Sequence, residues 1–291
     1  MSMSYNYEQS IWGTGEAGLK WSDPTAFRLR QAVRVVDETS DREEPWKVGE
    51  VDGLGGTNEA SETLKVLELG CGAGQFIRAI KKLCPTCECH GVDISKEALS
   101  IARNTHDDVL YELSEESRLP YADLSFDTVF IFDVLEHVEN PSAIVSEVHR
   151  ILKPEGIFYA FVPCEGDLTS MWNFLEFIHL KRNLTKKHAG HINYFSRKTL
   201  LALFKELGFK VVRIRYSEHF LGQILGIMAF YLMDRAAKRQ GMSQINNETY
   251  FKSNENKAVK KIKNIVNSLV YFESWLLQLL PSPNVHVVLK K

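Results

Sequence analysis

The chain has 291 residues, of which 44% are hydrophobic and 25% are charged, with 35 Lys and Arg against 37 Asp and Glu. This length and balance predict a folded protein with a well-buried core, and they exclude the disordered, collagenous and disulfide-scaffold classes. A formal net charge of -2 provides no overall field for phosphate backbones. We therefore expect no DNA partner, and RNA would need a local basic patch.

Residues 1–62 are predicted to form an N-terminal lid helix followed by an acidic linker. Ser22-Asp23-Pro24 is typical of a helix start, and the helix is expected to run to about Val36. Residues 37–62 carry nine acidic and two basic residues without periodicity, which indicates an exposed linker. Trp12-Gly13-Thr14-Gly15 is a candidate lid, since an aromatic side chain on a flexible strip can order over a ligand; a loosely ordered tail is the alternative.

Strand-like and helix-like segments alternate from Leu64 to Val162. Ser95 and Pro141 are typical of helix N-termini, and Lys153-Pro154 is expected to end the second of these helices. The alternation predicts an α/β fold with a parallel sheet covered on both faces. The apolar runs that indicate strands lie at 64–69, 89–94, 109–113, 126–132 and 156–162.

The remaining segments are assigned in the same way. We predict a mixed helical region at 167–182, a basic turn at 181–191, a helix capped by Ser196 and a strand at 209–216. Two helices at about 218–240 and 254–280 precede a terminal strand at 284–290. The predicted organisation is a core at 63–217, a helical insertion or cover at 218–283, and a strand at 284–291 that completes the core.

Cysteine usage and hydropathy bear on the compartment. Five cysteines at uneven spacing, and the absence of a basic start followed by an apolar core, predict reduced thiols in a cytoplasmic protein. Cys84-x-x-Cys87-x-Cys89-His90 offers four soft ligands, but neighbouring strand residues point to opposite faces, so we expect thiols rather than zinc. The longest apolar stretch, Phe220 to Met233, has 14 residues, short of the ~20 that cross a bilayer, so no spanning segment is expected.

The sequence VLELGCGAG, from Val66 to Gly74, places a glycine turn between a strand and a helix. Glycines allow a ligand to approach backbone N–H groups closely. Gln75 stands where phosphate-binding Rossmann folds have a third glycine, and Glu68 would repel a pyrophosphate but suits an ammonium or sulfonium group. Asp93 ends the next strand, where a carboxylate can accept both hydroxyls of a ribose.

These residues resemble the cofactor motif of class I S-adenosylmethionine-dependent methyltransferases, E-x-G-x-G-x-G followed by an acid after the second strand. The resemblance continues through residues 119–138, 150–156 and 191–209. Over these segments the sequence is similar to small-molecule methyltransferases of the ubiquinone-biosynthesis type. It implies a Rossmann-like seven-stranded sheet with the last strand antiparallel and a helical cover.

The resemblance also implies S-adenosylmethionine as the cofactor. Glu68 would hold its amino end, Asp93 would bind the ribose and Ile94 would lie against the adenine. Three glycines, Gly70, Gly72 and Gly74, would pass under the methionine part, and Glu115 or Glu116 would contact the adenine amino group. Phe132 at the end of the fourth strand and Trp12 of the lid are the remaining candidate cofactor contacts.

Asp133, Glu136 and His137 follow the fourth strand, at the sheet edge where ligands bind in open α/β folds. Methyl transfer from a sulfonium needs alignment and water exclusion, and it needs a base only where the acceptor atom holds a proton. His137 has a suitable ordinary pKa for that base; a residue that only holds the loop is the alternative.

These three residues, joined by His188 or His191, would also make an oxygen and nitrogen metal site. The arrangement resembles that of magnesium-dependent methyltransferases acting on vicinal oxygens, including small-RNA 2′-O-methyltransferases, and it raises Mg²⁺ as a further cofactor. His191 is otherwise interpreted as a substrate-pocket or structural residue.

Two features bear on the acceptor. Lys181, Arg182, Lys186 and Lys187 suit a phosphate or carboxylate, or form a solvated loop. The apolar helices between 218 and 280 would cover a lipid-like acceptor, contact a membrane surface, form a homodimer or pack as core. We expect O-methylation of a hydrophobic or lipid-linked small molecule; the alternatives are a metal-dependent RNA 2′-O-methyltransferase and a non-catalytic methyltransferase-like scaffold.

Overall fold

The computed structural model describes residues 13–40, 63–115, 118–177, 184–242 and 257–291. Its strands are β1 (Lys65–Leu69), β2 (Glu88–Asp93), β3 (Val109–Leu113), β4 (Phe126–Phe132), β5 (Leu152–Pro163), β6 (Lys210–Ser217) and β7 (Asn284–Lys290). Its helices are α1 (Ala26–Thr39), α2 (Gln75–Leu83), α3 (Lys96–Arg103), α4 (Pro141–Ile151), α5 (Met171–Phe177), α6 (Leu184–His188), α7 (Arg197–Glu206), α8 (Phe220–Arg239) and α9 (Lys257–Leu277). Trp12, Glu116, Lys181, Arg182 and the segment 41–62 lie outside the described residues.

The described strands form one seven-stranded sheet in the order β3-β2-β1-β4-β5-β7-β6. Strands β1 to β5 pair in parallel, whereas β7 is antiparallel to both of its neighbours, β5 and β6. The predicted Rossmann-like sheet with an antiparallel last strand is therefore confirmed.

Helices cover both faces of the sheet, as the nearly continuous apolar strands require. One core cluster joins the sheet to α1, α2 and α3 through residues such as Leu29, Ile77 and Leu99. The other joins it to α4 and α7 through residues such as Val145, Val148 and Phe204.

Local signals account for the starts of three helices. The Ser95 side chain accepts a hydrogen bond from Ala98 N at the start of α3, and Asn140 caps α4 directly before Pro141. Ser196 and Thr199 form a reciprocal capping box at α7. The predicted cap at Ser196 and the helix starts at Ser95 and Pro141 are confirmed.

Three predicted boundaries differ from the structure. Helix α1 continues three residues past Val36, to Thr39. Helix α4 ends at Ile151, directly before Lys153-Pro154 as predicted, but strand β5 already begins at Leu152 and its register against β4 shifts before Ile157, so these two residues lie in a bulged extension of the strand. The predicted basic turn contains a short helix, α6.

The prediction of reduced thiols is wrong for two of the five cysteines. Cys84 and Cys87 form a disulfide after α2, while Cys71, Cys89 and Cys164 are buried thiols. Cys89 and His90 point to opposite faces of β2, as the argument against zinc assumed. Cys89 lies in the core cluster under α2, whereas the His90 ring packs on Tyr121 on the opposite face of the sheet.

The helix that carries the apolar stretch is longer than the stretch itself. The apolar stretch of 14 residues continues into the 20-residue helix α8, because the sequence after Met233 keeps strong helix formers. Among the described helices, α8 alone has the length and apolar composition that could cross a membrane, with a mean hydropathy of 1.2. This finding rests on the length and composition of α8 alone and not on its surroundings in the fold.

Candidate active site

The candidate site lies where the strand order of the sheet reverses. Strand β1 contacts β2 on one side and β4 on the other, and open α/β sheets bind ligands in the crevice at such a point. The glycine turn follows β1, and Asp133 to His137 follow β4. A Cβ atom on Gly70 would lie 2.5 Å from Cγ2 of Val134, so the two segments are in direct contact.

The glycine turn has the backbone conformation that its sequence predicts. Gly70, Gly72 and Gly74 all have positive φ angles, of 74°, 52° and 84°. The Asp93 carboxylate accepts hydrogen bonds from Gly72 N at 2.7 Å and from Ser95 N at 2.9 Å. Ile94 beside it is 44% exposed. A carboxylate acceptor beside an exposed apolar side chain fits the ribose hydroxyls and the adenine of S-adenosylmethionine.

Glu68 has a protein partner as well as its predicted ligand. Its buried Oε2 accepts a hydrogen bond from Ile77 N at 2.7 Å, in the first turn of α2. Burial raises the pKa of this carboxyl to about 8, against the effect of that hydrogen bond. Glu68 therefore fixes the helix start that follows the glycine turn, and its contact with the cofactor amino group stays a prediction.

Arg78 connects the glycine turn to the N-terminal strip, a role that the sequence reasoning missed. Its Nη1 donates to Ala73 O, and its Nη2 donates to Gly15 O at 3.2 Å and to Gly13 O at 3.4 Å. Residues 13–15 consequently lie over the start of α2, where a lid over the cofactor would lie. Trp12, the predicted aromatic of that lid, lies outside the described residues.

The other predicted cofactor residues have distinct surroundings. Phe132 is buried and stacks on Phe76 with ring centroids 4.1 Å apart. Glu115 is exposed and forms an isolated β-bridge with Arg118. Glu116 lies outside the described residues, so neither acid is favoured over the other by the structure.

Glu136, His137 and His191 converge beside the glycine turn. One ligand atom from each lies within 4.8 Å of the others, and the His137 and His191 rings have centroids 5.0 Å apart. Glu136 is completely buried, and neither carboxylate oxygen has a hydrogen-bond partner among the described residues. His191 Nδ1 lies 3.0 Å from Oε1 of Glu165, a residue that the sequence reasoning missed.

Backbone hydrogen bonds hold these groups together. Ile192 N and Asn193 N both donate to Glu136 O, at 2.8 and 3.0 Å. The Asn193 side chain donates to Leu135 O and Val138 O, on either side of His137. His188 instead lies 3.3 Å from Asp234, so of the two candidate histidines only His191 joins the site.

The two imidazoles have opposite electrostatic environments. Burial and the charge of His191 lower the pKa of His137 to about 3. A backbone hydrogen bond with Gly190 opposes this shift but is the smaller effect. Burial would also lower the pKa of His191, but Glu165, Glu136 and Asp133 raise it to about 9. Burial and Asp133 raise the pKa of Glu136 above its ordinary value. At neutral pH the site therefore presents a neutral His137 beside a cationic His191.

We expect the stability contributed by His191 to depend on pH. Because its pKa rises from 6.5 to about 9 on folding, the contribution is complete below pH 6.5 and is lost as the pH rises through about 9. The free energy of unfolding should differ between the native chain and His191→Gln by at most about 3 kcal/mol, since one pKa unit corresponds to about 1.4 kcal/mol. Denaturant titrations should show this difference shrinking above pH 9; a difference that grows there would contradict the assignment.

Asp133 has a partner that brings the N-terminal helix into the site. Arg28 Nη1 of α1 lies 2.5 Å from Asp133 Oδ2, and Arg28 Nη2 lies 3.7 Å from Glu218 at the start of the helical insertion. The guanidinium also lies 3.9 Å from the centre of the Phe161 ring. Asp133 has a positive φ of 54°, which turns its side chain out of the strand direction. Arg28 thus joins α1, the end of β4 and the insertion.

Replacing Arg28 with Met should destabilise the fold. The change leaves Asp133 and Glu218 without their cation, and we expect a loss of about 2 kcal/mol, below the value for a fully buried pair because these side chains are partly exposed. Arg34→Met, which removes an exposed ion pair with Glu38, should change stability by less than about 0.5 kcal/mol. Equal unfolding midpoints for the two variants would contradict the proposed role of Arg28.

The site offers a metal ion two imidazoles and one carboxylate. Glu136, His137 and His191 would hold it, and Glu136 has both oxygens available. This donor set is typical of first-row transition metals, whereas Mg²⁺ takes mostly oxygen ligands. Asp133, which was predicted as a fourth ligand, is bound by Arg28. The geometry therefore favours Mn²⁺, Fe²⁺ or Zn²⁺ over the Mg²⁺ that the resemblance raises.

The sheet order, the glycine turn and Asp93 together define a class I S-adenosylmethionine-dependent methyltransferase. The sequence profile of the methyltransferase domain family matches residues 27–214, and the chain belongs to this family. An uncharacterised protein of Methanocaldococcus jannaschii is 32% identical over 149 residues, which cover 50% of this chain and 65% of that one.

Two further relatives have named activities. A ubiquinone biosynthesis O-methyltransferase of Paracidovorax citrulli is 30% identical over 125 residues, covering 40% of this chain and 50% of that one. A ubiquinone/menaquinone biosynthesis C-methyltransferase of Desulfotalea psychrophila is 25% identical over 232 residues, covering 75% and 91%. The chain thus spans about half the length of the O-methyltransferase and most of the length of the C-methyltransferase.

Solved structures agree on the fold. The chain has a TM-score of 0.51 to a Galdieria sulphuraria protein assigned as a sarcosine dimethylglycine methyltransferase, at 14% identity, with 79% of this chain and 78% of that one covered. It has a TM-score of 0.50 to the [4+2]-cyclase SpnF, at 15% identity, with 90% and 81% covered. At this identity the likeness concerns the fold alone.

Proposed function

We propose that the chain transfers a methyl group from S-adenosylmethionine to a hydroxyl oxygen of an apolar small molecule. The observation that carries the proposal is the cluster of Glu136, His137 and His191, which lies in the segment after β4 whose Val134 contacts Gly70 of the cofactor turn. An O-methyltransferase among the relatives supports the choice of oxygen, although a C-methyltransferase is also among them.

His137 is the group that would meet the acceptor hydroxyl. Its side chain is 18% exposed, against 0% for Glu136, so it lies at the open side of the cluster. Its imidazole is neutral at pH 7, but its low pKa makes it a weak base, so it would accept the proton of a hydroxyl that the site itself makes more acidic. Glu136 Oε1 lies 3.8 Å from His137 Nε2, and an imidazolium that forms there would favour the charged form of this carboxyl, whose pKa is otherwise raised by burial.

His191 would stabilise the opposite charge. A cationic imidazole 5.0 Å from the His137 ring favours the oxyanion form of the acceptor and thereby lowers the pKa of its hydroxyl. Glu165 keeps this imidazole protonated and oriented, and Thr185 Oγ1 donates to Glu165 at 2.9 Å. Bound S-adenosylmethionine supplies an electrophilic methyl group on a sulfonium, so the remaining work of these residues is alignment and water exclusion.

The test uses methyl-labelled S-adenosylmethionine with pairs of apolar acceptors. Each phenol or hydroquinone is matched with the O-methyl ether in which every hydroxyl is methylated. We expect the label on the hydroxyl compound and none on the ether. Transfer to a ring carbon of both members of a pair would overturn oxygen as the acceptor atom. Calorimetry without an acceptor should still show cofactor binding, which separates a wrong acceptor from a wrong cofactor.

A metal-assisted reaction is the second candidate, favoured by the 4.8 Å cluster of Glu136, His137 and His191. We nevertheless expect turnover to survive chelation. A metal ion would have to displace the proton that Glu165 favours on His191, which weakens metal binding at neutral pH. The measurement is turnover after treatment with a chelator and after adding back Mn²⁺, Zn²⁺ or Mg²⁺. Activity that is lost to the chelator and restored by a metal would select the metal-assisted reaction.

A further inference from the structure

The described helices of the insertion present long apolar stripes to solvent. On α8, Phe220, Ile224, Met228 and Leu232 follow one another at four-residue spacing and are between 43% and 71% exposed. The buried residues of the same helix, among them Met233 and Ala237, face the protein. Contiguous exposed apolar surface of this extent marks an interaction site.

Helix α9 repeats the pattern. Its exposed apolar residues have a spacing of three and four, which puts them on one face; they are Ile262, Ile265, Leu269, Phe272 and Leu276. The opposite face is fixed to the protein, since Tyr271 is buried and stacks on Trp21 at 5.1 Å. The stripe is therefore turned away from the core.

The two helices meet at one junction and continue toward the active site. Glu273 of α9 accepts hydrogen bonds from Phe220 N and Leu221 N, the first residues of α8. Helix α8 in turn contacts α5, where Trp172 packs edge-on against Phe230. Helix α5 lies a few residues after Glu165 of the site, and it exposes Phe174. The apolar surface thus extends from the insertion to the neighbourhood of the site.

The charge on these helices is opposite in sign to that of the whole chain. Helix α8 carries one acid with Arg235, Lys238 and Arg239, and α9 carries one acid with four lysines, whereas the chain has a net charge of -2. Asp234 pairs with Lys187 and with Lys238, each at 2.7 Å, and Glu273 caps α8, so both helices keep more positive than negative charge. The surface is therefore apolar with a basic margin.

We propose that this surface docks on the face of an anionic lipid bilayer, with α8 and α9 lying in the interface. Apolar stripes next to Lys and Arg are the pattern of interfacial helices, and anionic headgroups are complementary to the basic margin. A second copy of the chain is a poorer occupant, because a symmetric contact would bring like-charged margins together. Helix α8 lies along the bilayer rather than across it, since one of its faces stays bound to α5 and α6.

The proposal adds a route for the acceptor. An apolar hydroxyl compound dissolved in the bilayer would reach the site beside α5 without crossing water. This last step rests on the proposed function, whereas binding to a bilayer does not.

The test is flotation of the full chain with vesicles of phosphatidylcholine containing phosphatidylglycerol, and with vesicles of phosphatidylcholine alone. We expect binding to the first that weakens with added salt, and much weaker binding to the second. The triple change Lys257→Gln, Lys260→Gln, Lys261→Gln should weaken binding to the anionic vesicles on the order of a hundredfold. The matched triple Lys96→Gln, Lys198→Gln, Lys205→Gln, on α3 and α7, should leave binding unchanged.

A second pair of variants tests the apolar stripe. Ile224→Asp with Met228→Asp should abolish vesicle binding, and Leu110→Asp, an exposed apolar position on edge strand β3, should not. All four positions of the stripe are solvent-exposed, so thermal unfolding should be little changed. Equal binding by the stripe variant and the native chain would overturn the proposal. A dimer in solution that dissociates in the stripe variant, without vesicle binding by the native chain, would assign the surface to a second copy.

Discussion

Replacing His137 with Ala is expected to lower turnover by about 10²-fold or more, the usual loss when a general base is removed. Affinity for S-adenosylmethionine should stay nearly unchanged, because the cofactor contacts lie at the glycine turn and Asp93. The measurement is single-turnover transfer of labelled methyl at saturating cofactor, together with calorimetry of cofactor binding.

His149→Ala is the matched control for this variant. His149 lies on α4, where it packs against Phe209, and it makes no contact with the site cluster. Its removal should leave turnover within a factor of about two, in line with the small effects of changes away from functional features. Full turnover by the His137 variant would exclude both the base and the metal-assisted reaction, since both need this imidazole.

Replacing Asp93 with Ala should weaken S-adenosylmethionine binding at least about tenfold, the value of one good hydrogen-bonding contact. The carboxylate orders the glycine turn through Gly72 N and α3 through Ser95 N, so the variant loses both the ribose acceptor and its support. Calorimetry with the cofactor and with its demethylated product measures the loss.

A conservative variant of Asp93 and a control variant at another acid complete the test of cofactor binding. Asp93→Asn keeps the size of the side chain but presents donors from its amide nitrogen, so it should also bind weakly. Asp108→Ala removes an exposed acid near the start of β3 and should bind like the native chain. Unchanged affinity in both Asp93 variants would overturn the cofactor assignment.

The sequence predicted the sheet well because its strands are buried on both faces and therefore appear as apolar runs between helix signals. The antiparallel direction of β7 came from the family resemblance, since nothing local in residues 284–290 specifies its direction or its neighbours β5 and β6. The C-x-x-C spacing of Cys84 and Cys87 allowed a disulfide, and the inference of a reducing compartment led to the wrong expectation there.

The site was predicted in part for a similar reason. His137 and Glu136 follow a strand end and were identified by that rule, and Glu165 could have been found by applying it to β5. Arg28 could not have been found, because its contact with Asp133 joins residues 105 positions apart and leaves no local pattern. The electrostatic difference between His137 and His191 likewise depends on burial and on neighbours from separate segments.

The interior position of β7 has a consequence for synthesis on the ribosome. Among the described strands, β6 pairs with β7 alone, and β7 is translated after β6, α8 and α9. Until β7 emerges, the nascent chain presents β5, buried and apolar from Phe158 to Val162 in the finished sheet, as an open edge. Such an edge is prone to pair with other chains. Chains stalled before residue 284 should therefore require a chaperone, while β1 to β5 have already been made.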